Sequence, residues 1–255
     1  MEDQSIDLQT AAERLGVHYQ TAYRWVRSGE LEAARVRGRY LLHPDHVEAC
    51  AAQRERPTPP KPRRPRDGFG PLADRMYGHL VTGDESAARR QVADLVGDGV
   101  SLTTVIQELL VPALRRIGVE WHAGRLTIWV EHQAAAIVDR IIGSHHPNPR
   151  GRRRGTAVVA AVSGDLHVLP TSMAAAALRE DNWRVHHLGA DMPGDEIVRF
   201  CAETPVDLAV LTSTASEARP LAEHTAAALE SQGTRTLVGE PGRTLDELLE
   251  LARAR

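Results

Sequence analysis

The sequence predicts a multidomain α and α/β protein: a small helical segment with a hairpin, a four-helix bundle, and a doubly wound, Rossmann-like parallel sheet. Three observations predict it. Helical periodicity broken by glycines fills most of the first 142 residues. Beyond residue 155, short apolar runs alternate strictly with helical ones, which implies a parallel sheet with helices on both faces. Two stretches, PTPPKPRRPR at 57–66 and GSHHPNPRGRRR at 143–154, carry neither period and read as linkers. The expected parts are therefore 1–56, a Pro/Arg linker at 57–68, 69–142, a linker at 143–154, and 155–255.

Composition narrows the class. Apolar residues are 42% and charged residues 25% of 255, ordinary globular usage. The net charge of −3 hides a split: residues 1–66 hold 12 basic and 9 acidic side chains, the remainder 19 and 25. A basic front suits an anionic partner. No apolar stretch approaches the ~18 residues of a membrane span, and the start MEDQSID lacks a signal-peptide pattern. Cys50 and Cys201 alone make no disulfide framework. The expectation is a cytoplasmic protein without membrane contact.

In the first segment, Leu8, Ala11, Ala12 and Leu15 share one helical face and Gly16 ends the helix. A second helix over about 19–27 turns Ala22, Trp25 and Val26 inward, and Ser28-Gly29 closes it. LEAARVRGRYLL then reads as a hairpin with Arg37-Gly38 at its tip, and a third helix runs from Pro44 to about Arg54. Helix, turn, helix and wing at this spacing form a winged helix-turn-helix. His18, Tyr19, Gln20, Tyr23, Arg24 and Arg27 point outward from the second helix, and Arg37, Arg39 and Tyr40 lie on the wing. These residue types donate to phosphates and base edges of double-stranded DNA. A solvated three-helix bundle that binds protein is the alternative. The segment resembles the DNA-binding domains of the MerR and excisionase-like families.

The middle segment shows helical periods over about 71–82, 84–97, 101–118 and 126–142, an up-down bundle, with Asp84 and Ser101 as N-caps. Trp121 precedes Glu131-His132 by a nine-residue gap. An indole can cover a flat ligand, an imidazole can ligate a metal, and a carboxylate can fix its tautomer. A core Trp beside a surface Glu-His pair is the plainer alternative. In the third segment, the loop after the strand GTAVVAAV (155–162) holds Asp165-Leu166-His167, and a helix follows from about Thr171. An Asp two residues before a His can accept from one ring nitrogen and leave the other for a metal. A loop His held for structure is again the alternative.

Taken together, Trp121-x9-Glu131-His132 on a bundle and Asp165-x-His167 after a first strand resemble the cobalamin-binding module of methionine synthase. Behind a MerR-type helix-turn-helix, the same pair of domains resembles the CarH/LitR family of cobalamin-dependent photoreceptor repressors. That resemblance implies adenosylcobalamin, with His167 as lower axial ligand and Asp165 behind it. It implies Trp121 over the upper face, Glu131 against the adenosyl group, and His132 as the second metal ligand, engaged after light breaks the cobalt–carbon bond. It also implies a homo-oligomer, dimer or tetramer, that holds operator DNA in darkness and releases it on illumination. Ser213, Thr214 and Gly239 fall where the family binds the nucleotide tail. The departures fall there too: Pro170 ends the Asp-x-His-x-x-Gly pattern, Glu240 replaces the second glycine, and the fifth strand is absent or abbreviated. A haem held by His132 and His167, a bilin, or no cofactor are the alternatives. No catalytic residues are assigned and no enzyme is expected; a corrinoid carrier or methyltransferase subunit is the competing class, against which the basic helix-turn-helix argues.

Overall fold

A computed structural model of the chain describes residues 5–36, 38–54, 65, 68–145, 148–149, 153–240 and 242–254. It forms two compact units, one from the elements up to Arg54 and one from those after Gly70.

The first unit runs β1 (Ile6–Asp7), α1 (Leu8–Arg14), α2 (Tyr19–Ser28), β2 (Ala34–Val36), β3 (Arg39–Leu42) and α3 (Pro44–Arg54). The Asp7 side chain accepts from the Thr10 amide at 2.8 Å and starts α1. Gly29, at φ 75°, ends α2 in the left-handed conformation that glycine enters at no steric cost. Leu8, Ala11, Ala12, Ala22 and Trp25 form one core with Leu31, Leu42 and Val47. The sequence did not announce β1, which pairs with β3 (Ile6↔Leu42) and completes an antiparallel sheet in the order β1-β3-β2.

The second unit begins with a bundle: α4 (Gly70–Thr82), α5 (Glu85–Gly97), α6 (Leu102–Val105), α7 (Val111–His122) and α8 (Ile128–Gly143). Asp84 and Ser101 cap α5 and α6 through the Ala87 and Thr104 amides. Between α6 and α7, Ile106–Leu110 forms a π-helical turn, so the helix expected over 101–118 extends to His122 and carries Trp121 in its last turn. Met76, Leu80, Val92, Ile106, Ile117, Ile137 and Ile141 fill the core. Glu85 pairs with Arg140 at 2.6 Å and with Arg89 at 2.8 Å, tying α5 to α8. Hydrogen bonds from those two guanidiniums draw its carboxyl down to about 2.

The α/β part follows: β4 (Thr156–Val162), α9 (Val168–Glu180), β5 (Arg184–Met192), α10 (Gly194–Glu203), β6 (Leu208–Thr212), α11 (Arg219–Ser231), β7 (Arg235–Val238) and α12 (Leu245–Arg253). All pairings are parallel, in the order β5-β4-β6-β7. Four strands form this sheet among the described residues, and the chain passes from β7 to α12. Leu178, Leu248 and Leu249 pack one face; Ile197, Ala222 and Leu229 pack the other. The chain visits β5 on one side of β4 and then β6 on the other. Their carboxyl ends mark a switch point, where open sheets of this type bind ligands.

Two boundaries differ from expectation. Helix α9 starts at Val168, not Thr171, with His167 as its N-cap residue. Pro170 therefore stands inside the first turn, where a backbone amide has no intrahelical partner to lose. Asn148, in the stretch read as a linker, is fixed to β5: its side chain accepts from the Val185 amide at 2.7 Å and donates to its carbonyl at 3.2 Å. Among the described residues, no helix is long and apolar enough to cross a membrane.

Candidate functional site

Where the bundle meets the carboxyl ends of the strands there is a cavity of about 890 Å³, within the size range of small-molecule sites. Gln107 and Glu108 from the π turn, and Val111, Leu114, Arg115 and Gly118 from α7, form one wall. Opposite lie His167, Leu169, Pro170 and Met173, the strand ends Thr212–Thr214 and Val238–Glu240, and the segment leading into α12.

Asp165 governs His167. It is fully buried. One carboxylate oxygen accepts from the His167 amide at 3.1 Å and the His167 Nδ1 at 2.7 Å. The other accepts from the amides of Thr214 at 2.6 Å and Ala215 at 3.3 Å. Burial pushes this carboxyl up, but the donors from Thr214, His167 and Ala215 outweigh it and hold it below its ordinary value. An ionised carboxylate only accepts. Nδ1 must therefore carry a proton, and in the neutral ring Nε2 keeps its lone pair. The ring is more than half exposed at the cavity, which makes Nε2 available to a metal.

The floor of the cavity has a second unmet group. Thr212 Oγ1, at the end of β6, is buried with no hydrogen-bond partner among the described residues. A Cβ on Gly239 would lie 3.3 Å from both the Ser213 nitrogen and Thr212 Cα, so the glycine allows the ends of β6 and β7 to close up. Glu240 pairs with Arg243 at 2.8 Å, and Arg243 also donates to the Val238 carbonyl at 3.0 Å. The charge that replaces the second glycine is thus neutralised within its own loop.

Of the expected cofactor residues, His167, Ser213, Thr214 and Gly239 line this cavity and Asp165 stands directly behind His167. Trp121, Glu131 and His132 are not among its lining residues. Trp121 continues the cavity-facing row of α7, one turn beyond Gly118, and its ring meets His122 edge-on at 4.4 Å. His132 Nδ1 bonds the Glu131 carboxylate at 2.6 Å, and the imidazole is exposed. His132 is therefore not among the residues that line this cavity with His167. Sequence reasoning missed Thr212, whose hydroxyl ends a strand read as apolar, and Gln107, whose role follows only from the π turn.

On the first unit, His18, Tyr19, Gln20, Tyr23, Arg24 and Arg27 are all exposed on α2, with Arg39 exposed and Tyr40 half-buried on the wing. Arg37 lies outside the described residues. Tyr19 stacks with Tyr23 (6.4 Å between ring centres), Tyr23 meets Tyr40 edge-on at 5.9 Å, and Arg35 lies over the Tyr40 ring. Helix and wing thus present one continuous aromatic and basic face.

Comparison with known proteins assigns these parts. Residues 6–55 match the helix-turn-helix domain family, and residues 72–144 and 155–253 match two B12 binding domain families. The chain is 28% identical over 198 residues to the HTH-type transcriptional repressor CarA of Myxococcus xanthus, covering 74% of this chain and 63% of CarA. It is 26% identical over 150 residues to the HTH-type transcriptional repressor CarH of the same organism, covering 57% of this chain and 50% of CarH. It thus spans less than two thirds of each. Its fold is similar to that of the monomethylamine corrinoid protein of Methanosarcina barkeri (TM-score 0.52, 15% identity, 72% of this chain and 90% of that one). The cavity's chemistry suits a corrinoid: one oriented imidazole nitrogen for cobalt, an apolar hollow, and an unpaired hydroxyl between two strand ends. The chain is a helix-turn-helix protein carrying a B12-binding module, similar to the CarA and CarH repressors.

Proposed function

We propose that the protein is a transcriptional repressor that holds operator DNA as a homo-oligomer, dimer or tetramer, under the control of adenosylcobalamin and light. One observation carries the reading. A buried, ionised Asp165 fixes His167 with Nε2 free at a B12-type cavity, in the same chain as a basic helix-turn-helix face. Bound adenosylcobalamin supplies a cobalt centre and a cobalt–carbon bond that light cleaves. The chain's residues do the rest. His167 would hold the cobalt through Nε2. Trp121, three residues beyond the cavity-lining Gly118 on α7, would help to hold the bound group. Glu131 orients His132 as Asp165 orients His167, leaving a second free nitrogen on the neighbouring helix. A single helix-turn-helix covers a short half-site, so affinity for an operator depends on how many copies are joined. A ligand that changes the packing of the bundle thereby changes occupancy of the operator.

The test is a dark and light comparison of the holoprotein. Loaded with adenosylcobalamin in darkness, it should be coloured, elute as an oligomer and retard duplex operator DNA selected from a random pool. Illumination should change the spectrum, the elution and the retardation together. A protein that takes up no cobalamin, or whose DNA affinity ignores light, overturns the reading. One that binds cobalamin but no duplex is a corrinoid carrier instead. His167→Ala should lower uptake and alter the spectrum.

Arg24→Ala tests the DNA face. Arg24 is exposed on α2 between Tyr23 and Trp25. As a phosphate contact it should weaken binding to all sequences alike and reduce the salt slope of log K by about 1 per bound chain. Titration at several salt concentrations checks this; an unchanged slope removes Arg24 from the interface.

A further inference from the structure

The loop that carries Asp165 and His167 is held from behind by a strand end that is not among the cavity's lining residues. Along β5 the pairing with β4 slips twice: Val159 pairs with His187, Ala160 with Gly189, and Val162 with Met192. The extra residues bend the end of the strand over residues 163–165. Asp191 sits in the bend at φ 54°, a left-handed conformation that few side chains tolerate and that Asp and Asn enter more readily than others. Three hydrogen bonds join it and its neighbour to the loop. The Ser163 amide donates to the Met192 carbonyl at 2.9 Å, and the Asp191 amide donates to the Asp165 carbonyl at 3.0 Å. The Gly164 amide donates to the Asp191 carboxylate at 2.9 Å. Gly164 is itself at φ 90°, and its exposed amide takes the Asp191 carboxylate as its acceptor.

Asp165 is thus clamped from two sides. Its carboxylate is fixed by Thr214, Ala215 and His167, and its main chain by Asp191. The carboxylate bonds set the tautomer of His167. The main-chain bonds set where that carboxylate stands, and so where Nε2 points. We propose that Asp191 is a positioning residue for axial ligation: its left-handed backbone and its carboxylate together aim His167 Nε2 at the metal through Asp165. Groups that orient a metal-bound histidine typically change metal affinity by about 10–100-fold when removed.

The inference rests on His167 being the cobalt donor, and the test separates the two. The full-length chain is loaded with cobinamide, a corrinoid that lacks a nucleotide base, so any axial nitrogen comes from the protein. Binding is followed by absorption. After reduction to Co(II), the splitting that one axial nitrogen adds to the electron paramagnetic resonance lines reports ligation. In the wild type that splitting should be present and should vanish in His167→Ala; if the wild type lacks it, the donor assignment fails and the inference fails with it. If the wild type shows it, Asp191→Ala should lower affinity about tenfold and weaken or lose the splitting. Asp191→Asn keeps an acceptor oxygen and a tolerated backbone, and should restore both. Asp191→Gly relieves the backbone but removes the acceptor, and should behave like the Ala variant. Nitrogen splitting and affinity that persist in both Ala and Gly variants overturn the proposal, as does failure of Asn to rescue.

Discussion

Asp165→Asn should abolish productive ligation by His167 while leaving the fold intact. The replacement is the same size, but an amide has one acceptor and one donor end. Placed toward Thr214 and Ala215, its NH2 would face two backbone amides, the sites of the present 2.6 and 3.3 Å bonds. Placed toward His167, it would face one backbone amide and a ring nitrogen. The second arrangement loses fewer bonds, because the ring can adapt: Nδ1 becomes the acceptor and the proton moves to Nε2. A protonated Nε2 cannot bind a metal. Corrinoid affinity should therefore fall by about 10–100-fold, read by absorption titration with cobinamide. The remaining mismatch should cost about 1–3 kcal/mol in urea unfolding. Because the native carboxyl is held below its ordinary value, its stabilising contribution is complete above about pH 4. It is lost as pH falls through the native value. The gap between wild type and Asp165→Asn should be full at neutral pH and narrow on acidification below that point. Wild-type affinity in the variant would show that the carboxylate does not set the tautomer.

The parts of this site that were legible in the sequence are the local ones. Asp165 and His167 are two residues apart, so spacing alone allowed their hydrogen bond. Glu131 and His132 were legible as a pair for the same reason. Spacing could not say that this pair lies outside the cavity's lining, because that depends on how α7 and α8 meet. Pro170 misled the helix boundary: proline reads as a breaker, yet in a first turn it forfeits no bond. The π turn at Ile106–Leu110 leaves no periodic trace, and it is what brings Gln107 to the cavity. Two-residue β1 is too short to show alternation. Least legible were contacts between remote segments. Gln107 accepts from the Leu245 and Asp246 amides and donates to the Asp246 carboxylate. Asp191 reaches Gly164. No single-sequence pattern links such positions.

The largest loss of stability should follow Glu180→Ala, and the reason lies in how the bundle is attached. Glu180 is the last residue of α9, where its own helix disfavours a negative charge. It stands instead at the start of α6. One carboxylate oxygen accepts from the Leu102 amide at 2.7 Å, and the other from the Thr103 amide at 2.8 Å and its hydroxyl at 2.6 Å. Ser101 takes the Thr104 amide, so the first turn of α6 has no unpaired donor. Leu102 is fully buried and Thr103 nearly so, which leaves water no means of replacing the carboxylate. Removing it strands two buried amides and a hydroxyl. The expected cost is about 2–4 kcal/mol in urea unfolding, built from roughly 1–3 for each unsatisfied group with partial relaxation. Glu180→Gln keeps one acceptor oxygen and should fall between. Hydrogen exchange separates local from global effects: the Leu102 and Thr103 amides should lose protection first, while β4 and β6 keep theirs until the whole unit unfolds. Since α6 leads directly into the π turn and α7, the same change should loosen one wall of the cavity and lower corrinoid affinity without touching His167. A Glu180→Ala variant with wild-type unfolding and wild-type protection at Leu102 and Thr103 would mean that the bundle is held by apolar packing alone.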